Sequence, residues 1–433
     1  MSEQQQPAVQ FGIFSVSDIT QNPTDGHTPS EAERIQATLT IAKHAEEVGL
    51  DAAKLQAARA AVQALIEKKE MAGAILAVAR HGKVVLFEAL GEAEAGSGKA
   101  MKTDTIVRIY SMTKPITTVA AMILVDEGKI RLDDPVSKFL PEFKNLRVHA
   151  GKEGETVDAK REVTIRDLMR HTSGLSYGFG NSPVDLLYKK QGVLARGDTL
   201  PDLITKLGKV PLVSQPGTRW RYSASTDVLG RVVEVVSGRP LDEFFVERIF
   251  KPLDMKDTGF LVPEDQLDRF AANHGLDKEK KLIVTETPAK SRYRTKPKML
   301  SGGGGCVSTA RDYLRFCQML LNGGELEGTR ILKAETVALM RQNQLSEEAM
   351  KAKNGGNADV GDGFSLGFGV RVGKDNPAAG SAVGEYYWGG AASTHFWISP
   401  RQDLIVVALE QFMPNRPRLQ QAIKPLIYQS AKE

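Results

Sequence analysis

The sequence predicts an α+β protein, in which an antiparallel sheet is flanked by terminal helices and a helical subdomain is inserted. Two strand-like runs near the start, 73–80 and 83–89, are joined by the turn-forming pair His81-Gly82, which favours a β-hairpin. The pattern over 111–212 is mainly helical. Further strand-like runs occupy 365–372, 385–388, 395–399 and 404–410. Strands at both ends with helices between them predict this arrangement.

Residues 1–51 are predicted to form a separate N-terminal extension. Residues 10–16 have a strand pattern and are followed by a loop and a helix that ends near Val48. This unit resembles the start of a bacterial-luciferase-like flavin monooxygenase, but one β/α unit cannot close a barrel or hold a flavin. We therefore expect a non-catalytic extension, followed by a main domain at 52–433 with a helical subdomain at about 136–290.

Composition excludes several classes of function. Among the 433 residues 41% are hydrophobic and 25% are charged, as in ordinary globular proteins. A net charge of +4 gives no indication of nucleic-acid or membrane binding. Cys306 and Cys317 are interpreted as buried apolar residues, and no metal-ligand spacing occurs. With no signal-like N-terminus and no apolar run long enough for a membrane, we expect a cytoplasmic protein.

Ser111-Met112-Thr113-Lys114 is the central motif for chemistry. It lies between a strand-like run and an apolar helical stretch. At a helix start, residues three positions apart share a face, so the hydroxyl and the amine can meet. A buried amine that is uncharged can then accept the proton of the serine. Alone this tetrapeptide is weak support for an enzyme, and partner motifs are needed.

Two further motifs follow in order. Tyr222-Ser223-Ala224 comes after the turn Gln215-Pro216-Gly217 in the expected helical subdomain. Trp388-Gly389-Gly390-Ala391 lies near the C-terminus, on or beside an edge strand, where glycines allow close approach to the backbone.

These motifs and their connecting segments resemble the serine β-lactamase-like superfamily, above all class C β-lactamases and the family VIII carboxylesterases. The similarity runs from about residue 53 to the C-terminus. The supporting segments include Leu132-Asp-Asp-Pro135, His171-Thr-Ser-Gly-Leu175 and Ser301-Gly-Gly-Gly-Gly305. The resemblance implies the β-lactamase/transpeptidase-like fold and makes the main domain at 52–433 a hydrolase domain.

The resemblance also implies roles for individual residues. Ser111 would be the acylated nucleophile, and Lys114 would activate it. Tyr222 would be a general base or a proton relay to the leaving group. The backbone N–H groups of Ser111 and Ala391 would form the oxyanion hole.

Two departures from the β-lactamase pattern favour esters over lactams. Ala224 stands where those enzymes usually carry an asparagine, and Trp388 where they usually carry a lysine. Losing a polar clamp and a cation suits neutral substrates, and the Trp-Gly-Gly form resembles the esterase branch. The predicted substrate-binding residues are Trp388, Gly389, Gly390, Ala224 and Tyr177.

The predicted function is hydrolysis of small, short-chain carboxylic esters through a serine acyl-enzyme, with weak β-lactam hydrolysis as a further expectation. No metal or organic cofactor is expected, and the partner is a small ester, not nucleic acid or a membrane. A β-lactamase or D-alanyl-D-alanine peptidase is the alternative, and an inactive ligand-binding module is a second one. The sequence does not indicate the oligomeric state.

Several other residues could be mistaken for catalytic groups. Ser176 lies in a Gly-x-Ser-x-Gly pattern, but the preceding residues predict a helix instead of the strand that a nucleophile elbow requires. His171 is interpreted as a hydrogen-bonded structural residue and His395 as a packing residue. Arg108 and Asp134 are also expected to be structural. The run 302–305 lacks the Lys-Ser/Thr of a phosphate loop and is interpreted as a turn.

Overall fold

A computed structural model of the protein describes residues 43, 45–152, 154–195, 197–351, 363–375 and 380–431. The α-helices in these ranges are α1 (Ala52–Glu67), α2 (Thr113–Asp126), α3 (Ile165–Met169), α4 (Pro183–Lys190), α5 (Leu200–Leu207), α6 (Ser225–Ser237), α7 (Leu241–Phe245), α8 (Ala310–Leu321), α9 (Ala334–Met340), α10 (Glu347–Lys351) and α11 (Arg418–Ser430). Most of the luciferase-like unit predicted over 1–51 lies outside the described residues, so that resemblance stays a prediction.

The strands in the described ranges form one large sheet and several two-stranded ribbons. They are β1 (Gly73–Arg80), β2 (Lys83–Glu94), β3 (Lys99–Ala100), β4 (Val107–Arg108), β5 (Arg147–His149), β6 (Thr156–Asp158), β7 (Asn273–Leu276), β8 (Leu282–Glu286), β9 (Val307–Ser308), β10 (Glu325–Leu326), β11 (Thr329–Arg330), β12 (Gly363–Phe364), β13 (Gly369–Val370), β14 (Tyr386–Gly390), β15 (Thr394–Ser399) and β16 (Leu404–Glu410).

The large sheet joins the two ends of the hydrolase domain. Its order is β12-β13-β14-β15-β16-β1-β2-β3, and neighbouring strands are antiparallel. The last strand of the C-terminal meander, β16, pairs with β1 from Ala74 opposite Glu410 to Arg80 opposite Leu404. The sheet therefore confirms the predicted α+β fold with strands from both ends.

Both faces of the sheet are covered, and the alternation along β1 shows how. Ala74, Leu76 and Val78 pack into an apolar cluster with helices α1 and α11. Ile75 and Ala77 point the other way, into the main core with α2, α6 and α8. Because successive side chains of a strand face opposite sides, a strand that is buried on both faces has the continuous apolar pattern seen in 73–79.

The strand predicted at 365–372 is wrong in its extent. The structure has a hairpin here instead, with Phe364 opposite Gly369. Ser365 donates its N–H to the carbonyl of Phe368, and Gly367 has a φ of 90°. A left-handed residue of this kind reverses the chain, which an apolar pattern alone does not reveal.

Residues just before the predicted boundary at 51 pack on the hydrolase domain. Ala45, Val48 and Leu50 are buried in the apolar cluster beneath α1 and α11. Leu50 also forms a bridge with Ala431, and the Asp51 side chain accepts hydrogen bonds from the first turn of α1. These residues thus contribute to the same core as the sheet.

The region predicted as a helical subdomain holds α3 to α7 together with the ribbons β5–β6 and β7–β8. Helix α2 packs against α6, and residues Thr113–Leu124 of α2 are all buried. The site residues described next lie where these helices meet β14. Within the described ranges, no helix has the length and apolar character to cross a lipid bilayer.

Candidate active site

Ser111 lies in a tight turn at the entrance to the central helix. Residues Tyr110–Met112 form one turn of 3-10 helix, and α2 begins at Thr113. Tyr110 has a φ of 41°, a left-handed conformation that costs a bulky residue energy and that often occurs beside functional groups. Ser111 is partly exposed.

Lys114 lies one turn along and is buried beside the Ser111 hydroxyl. Its Nζ is 3.4 Å from Ser111 Oγ and 2.5 Å from the carbonyl oxygen of Gly303. The same Nζ also lies over the ring of Tyr222, 4.5 Å from its centroid. No carboxylate of the described residues lies within ion-pair distance of this Nζ. The i, i+3 contact predicted from the sequence is therefore present in the structure.

Tyr222 completes a hydrogen-bonded group of three side chains. Its phenol donates to Ser111 Oγ at 2.7 Å, although the two residues are 111 positions apart. Tyr222 lies just before α6, and its neighbour Ala224 is at the N-terminal cap of that helix. Ala224 is completely buried and donates its N–H to the carbonyl of Ser176. The side chain of Ala224 thus presents no surface to a ligand here.

The glycine run 302–305 orients Lys114, and this role was not predicted from the sequence. Asp227, buried in the first turn of α6, accepts hydrogen bonds from Ser301 Oγ at 2.5 Å and from the Gly303 N–H at 3.0 Å. These contacts fix the turn so that the Gly303 carbonyl faces the lysine. The run is a turn, as predicted, and it also supplies a hydrogen-bond acceptor to Lys114.

Strand β14 brings the Trp-Gly-Gly motif against the turn that carries Ser111. A Cβ at Gly390 would collide with the carbonyl oxygen of Ile109, so glycine is needed for this approach. Neither the N–H of Ser111 nor that of Ala391 has a hydrogen-bond acceptor among the described residues. Both donors, on partly exposed residues, are therefore available to a ligand.

Aromatic side chains form the walls around these groups. The Tyr222 ring lies 5.5 Å from that of Trp388 and 5.3 Å from that of Tyr177, between centroids. Tyr177 stacks in turn on Phe179, with centroids 5.0 Å apart, although Phe179 is 81% exposed. Phe364 packs edge-on against Trp388. The sequence pointed to Trp388 and Tyr177, but Phe179 and Phe364 were missed because they lie outside the three motifs.

Comparisons with known proteins identify the family to which this chain belongs. The Beta-lactamase family model matches residues 58–425. The chain belongs to the β-lactamase family. An uncharacterized protein of Mycobacterium tuberculosis is 37% identical over 82% of this chain and 90% of its own length. Esterase EstB of Burkholderia gladioli is 34% identical over 81% of this chain and 89% of its own length.

The solved structure of EstCE1, described as a hydrolase with promiscuous acyltransferase activity, superposes with a TM-score of 0.75. It is 27% identical, and the match covers 91% of this chain and all of that one. These findings confirm the predicted fold and the predicted placement in the esterase branch of the β-lactamase-like serine hydrolases. The roles of the individual residues stay predictions.

In this β-lactamase family chain, the serine of the Gly-x-Ser-x-Gly pattern, Ser176, is held by hydrogen bonds within the protein. Ser176 is buried, and its Oγ donates to Asp185 Oδ1 at 2.5 Å. The same Oγ accepts a hydrogen bond from Gly178 N–H at 3.1 Å and from Arg221 at 3.2 Å. The residues before it form α3 and a turn, not a strand.

The two candidate histidines are both buried. His171 packs 5.0 Å from the ring of Tyr222, between centroids. Burial lowers the pKa of His171 well below its usual value, and the positive charge of Lys114 adds to this effect. Burial also lowers the pKa of His395 to about 4, with a contribution from Lys424. Both imidazoles are therefore neutral near pH 7 and can pack against apolar groups.

Arg108 and Asp134 each form an ion pair within the chain, as expected for structural residues. Arg108 is completely buried and pairs with Glu286 at 2.7 Å, while also donating to the carbonyl of Ala271. Asp134 pairs with Lys138 at 2.9 Å. Among the residues that the structure describes, no group of three or more His, Cys, Asp or Glu side chains is arranged to hold a metal ion.

Proposed function

We propose that the protein is a carboxylesterase that hydrolyses small, neutral, short-chain carboxylic esters through an acyl-enzyme on Ser111. One observation carries the proposal: the Ser111 hydroxyl has both a phenol and an amine within reach, Tyr222 at 2.7 Å and Lys114 at 3.4 Å. These are two groups through which a proton can leave the serine and later reach the leaving oxygen.

Acylation follows from this geometry. Ser111 Oγ attacks the ester carbonyl carbon, and its proton passes to the Lys114–Tyr222 pair, which for this step carries either an uncharged amine on Lys114 or a tyrosinate on Tyr222. The carbonyl oxygen becomes an oxyanion, which accepts hydrogen bonds from the N–H groups of Ser111 and Ala391. When the oxyanion collapses, the bond to the alcohol oxygen breaks and the pair returns the proton to that oxygen. The acyl group remains on Ser111.

Deacylation repeats these steps with water. A water molecule attacks the acyl carbon and gives its proton to the Lys114–Tyr222 pair, and the proton then returns to Ser111 Oγ as the acid departs. The hydrogen bonds of Gly303 and Asp227 keep Lys114 in place for both half-reactions.

The lining of the cleft favours neutral substrates. A β-lactam brings a carboxylate, and desolvating it without a cation or enough donors costs several kcal/mol. Here the wall beside Tyr222 is formed by the rings of Trp388 and Tyr177. A short-chain ester needs little more than an apolar wall, the oxyanion donors and a proton for the alcohol. We therefore expect β-lactams to acylate Ser111 weakly.

Acyl transfer to an alcohol is a second candidate activity. The exposed Phe179, stacked on Tyr177, extends the aromatic wall to the protein surface, where an apolar alcohol could bind in place of water. EstCE1, which is described as having promiscuous acyltransferase activity, supports this candidate. Adding butanol to an ester assay and measuring butyl ester against free acid would test it.

Covalent labelling tests the proposed function. The protein is treated with an alkyl fluorophosphonate, digested and analysed by mass spectrometry, with Ser111→Ala and Ser176→Ala as matched variants. We expect the wild type and Ser176→Ala to carry the label on the peptide that contains Ser111, and Ser111→Ala to remain unlabelled. Label on any other serine would overturn the assignment.

A further inference from the structure

We propose that Asn415 is a positioning residue of this reaction: its side-chain amide holds the Gly390–Ala391 peptide so that the Ala391 N–H points at the reacting carbonyl. The inference rests on the proposed function, which places that N–H in the oxyanion hole. It concerns a residue outside the three sequence motifs.

The contact is direct. Asn415 Nδ2 donates to the carbonyl oxygen of Gly390 at 2.9 Å, and the N–H of Ser393 donates to the same oxygen at 3.2 Å. The Gly390 carbonyl and the Ala391 N–H are opposite sides of one planar peptide unit. Fixing the direction of the carbonyl therefore fixes the direction of the N–H, for which no acceptor exists among the described residues.

The backbone around Asn415 is built to deliver this amide. The β14–β15 hairpin turns at Ser393, which has a φ of 62°. Ser393 Oγ donates to the Phe412 carbonyl and accepts from the Arg416 N–H, both at 3.0 Å. The Phe412 N–H donates to the Ala392 carbonyl at 3.0 Å. The loop between β16 and α11 is thus hydrogen-bonded to the hairpin turn on either side of Asn415.

Two effects of the amide act on the transition state. It restricts rotation of the peptide, and it polarises the carbonyl so that the N–H on the other side becomes a stronger donor. An oxyanion-hole donor acts mainly when charge develops on the carbonyl oxygen, so the effect belongs to kcat more than to KM. Complete loss of such a donor typically costs on the order of 100-fold, and misorientation should cost less.

The test uses Asn415→Ala and Asn415→Asp in the full chain. Aspartate has the same shape, but its carboxylate cannot donate to Gly390. For p-nitrophenyl butyrate we expect kcat to fall about 10-fold in both variants, with KM changed less than about twofold. The inhibition constant of an alkyl trifluoromethyl ketone, whose hemiketal oxygen mimics the oxyanion, should rise by the same factor. Gln421→Ala, an exposed amide on α11, is the control and should change neither quantity.

The outcomes separate this inference from the proposed function. A wild-type protein that hydrolyses no neutral ester would contradict the proposed function itself. An active wild type with an unchanged inhibition constant in the Asn415 variants would overturn only the positioning role. A loss confined to KM, or to esters that carry a carboxylate, would show that Asn415 contacts the substrate instead. Thermal melts accompany each variant, and Asn415→Ser replaces Asn415→Ala if the alanine variant does not fold.

Discussion

Ser111 and Ser176 both occur in short patterns of serine hydrolases, yet their hydroxyl groups have opposite surroundings. Ser111 is partly exposed, and its Oγ receives hydrogen bonds from a phenol at 2.7 Å and from an amine at 3.4 Å. Ser176 is buried, and its Oγ donates to a carboxylate that is itself paired with Arg221 at 2.9 Å.

The difference teaches that exposure and the chemical nature of the hydrogen-bond partners, more than the local pattern, distinguish a reactive hydroxyl from a structural one. The Asp185 carboxylate is neutralised by a guanidinium and satisfied by two serine hydroxyls. Ser176 is only 2% exposed, which shields its hydroxyl from a substrate. Changes near Ser111 should therefore affect catalysis, and changes near Ser176 should affect stability.

The largest expected effect is the loss of the nucleophile. Ser111→Ala should reduce kcat/KM for p-nitrophenyl butyrate at least about 1000-fold, because no acyl-enzyme can form. Ser176→Ala should keep most of the wild-type value if the fold survives. Steady-state kinetics on both purified variants, with circular dichroism to verify folding, provide the comparison. An active Ser111→Ala beside an inactive, folded Ser176→Ala would reverse the roles of the two serines.

The second prediction concerns which acyl donors reach Ser111. We expect kcat/KM for a short-chain aryl ester to exceed that for a penicillin at least about 100-fold, or roughly 2.7 kcal/mol of transition-state preference. The reason is that Trp388 lies beside Tyr222 where β-lactamases usually provide a lysine for the carboxylate. Side-by-side steady-state assays measure the ratio. Comparable efficiencies would favour the β-lactamase alternative.

The third prediction tests whether the hydrogen bonds around Ser176 serve stability and not catalysis. Asp185→Asn removes the charge that faces buried Ser176 and Arg221, and we expect a loss of about 2–3 kcal/mol in the free energy of unfolding, with kcat/KM within about threefold of wild type. Urea denaturation measures the first quantity. A stable but inactive variant would show that this cluster takes part in catalysis.

The effect of Asp185→Asn should depend on pH. Burial alone would raise the pKa of Asp185. The hydrogen bonds of Ser176 and Ser182 and the charge of Arg221 nevertheless hold this pKa below its usual value of 3.8. A carboxyl whose pKa is lower in the folded state stabilises the protein above its unfolded pKa, and this contribution is lost as pH falls through the folded value. The difference between wild type and variant should thus be full near neutral pH and shrink below about pH 4.

Local features of the site could be predicted from the sequence, and long-range ones could not. The Ser111–Lys114 contact follows from helix geometry over three residues, and the β1–β2 hairpin follows from its turn. The link from Asp227 through Gly303 to Lys114 joins segments more than 70 residues apart, and the sequence gives no sign of which acidic residue would approach the glycine turn.

The strand predicted at 365–372 is wrong for a local reason. An apolar run favours a strand, but the left-handed φ of Gly367 turns the chain back and places Phe364 against Trp388. The pairing of Asn415 with Gly390 also depends on how two distant loops meet. The turn at Gly367 is a local feature that the strand pattern hid, whereas the contact of Asn415 requires knowledge of the tertiary packing.

The smallest expected effect on activity is that of removing the N-terminal extension. Every candidate site residue lies beyond position 107, so deleting residues 1–42 should leave kcat/KM for a short-chain ester within about threefold of the full chain. Deleting residues 1–51 should differ in stability, because it also removes Ala45, Val48 and Leu50 from the apolar cluster beneath α1 and α11. Burying a Val or Leu side chain contributes about 1.5–3 kcal/mol, so the longer deletion should lower the free energy of unfolding by at least about 3 kcal/mol.

Measuring both truncations separates an effect of the N-terminal residues on the active site from an effect on the free energy of unfolding. If the longer deletion unfolds at lower urea while its folded fraction keeps wild-type kcat/KM, residues 45–51 support the sheet without contacting substrate. A large loss of activity in a folded 1–42 deletion would instead mean that the extension forms part of the cleft or of a contact between subunits. In that event the hydrolase domain would not be a sufficient catalytic unit, and the comparison of Ser111 with Ser176 would have to be repeated in the full chain alone.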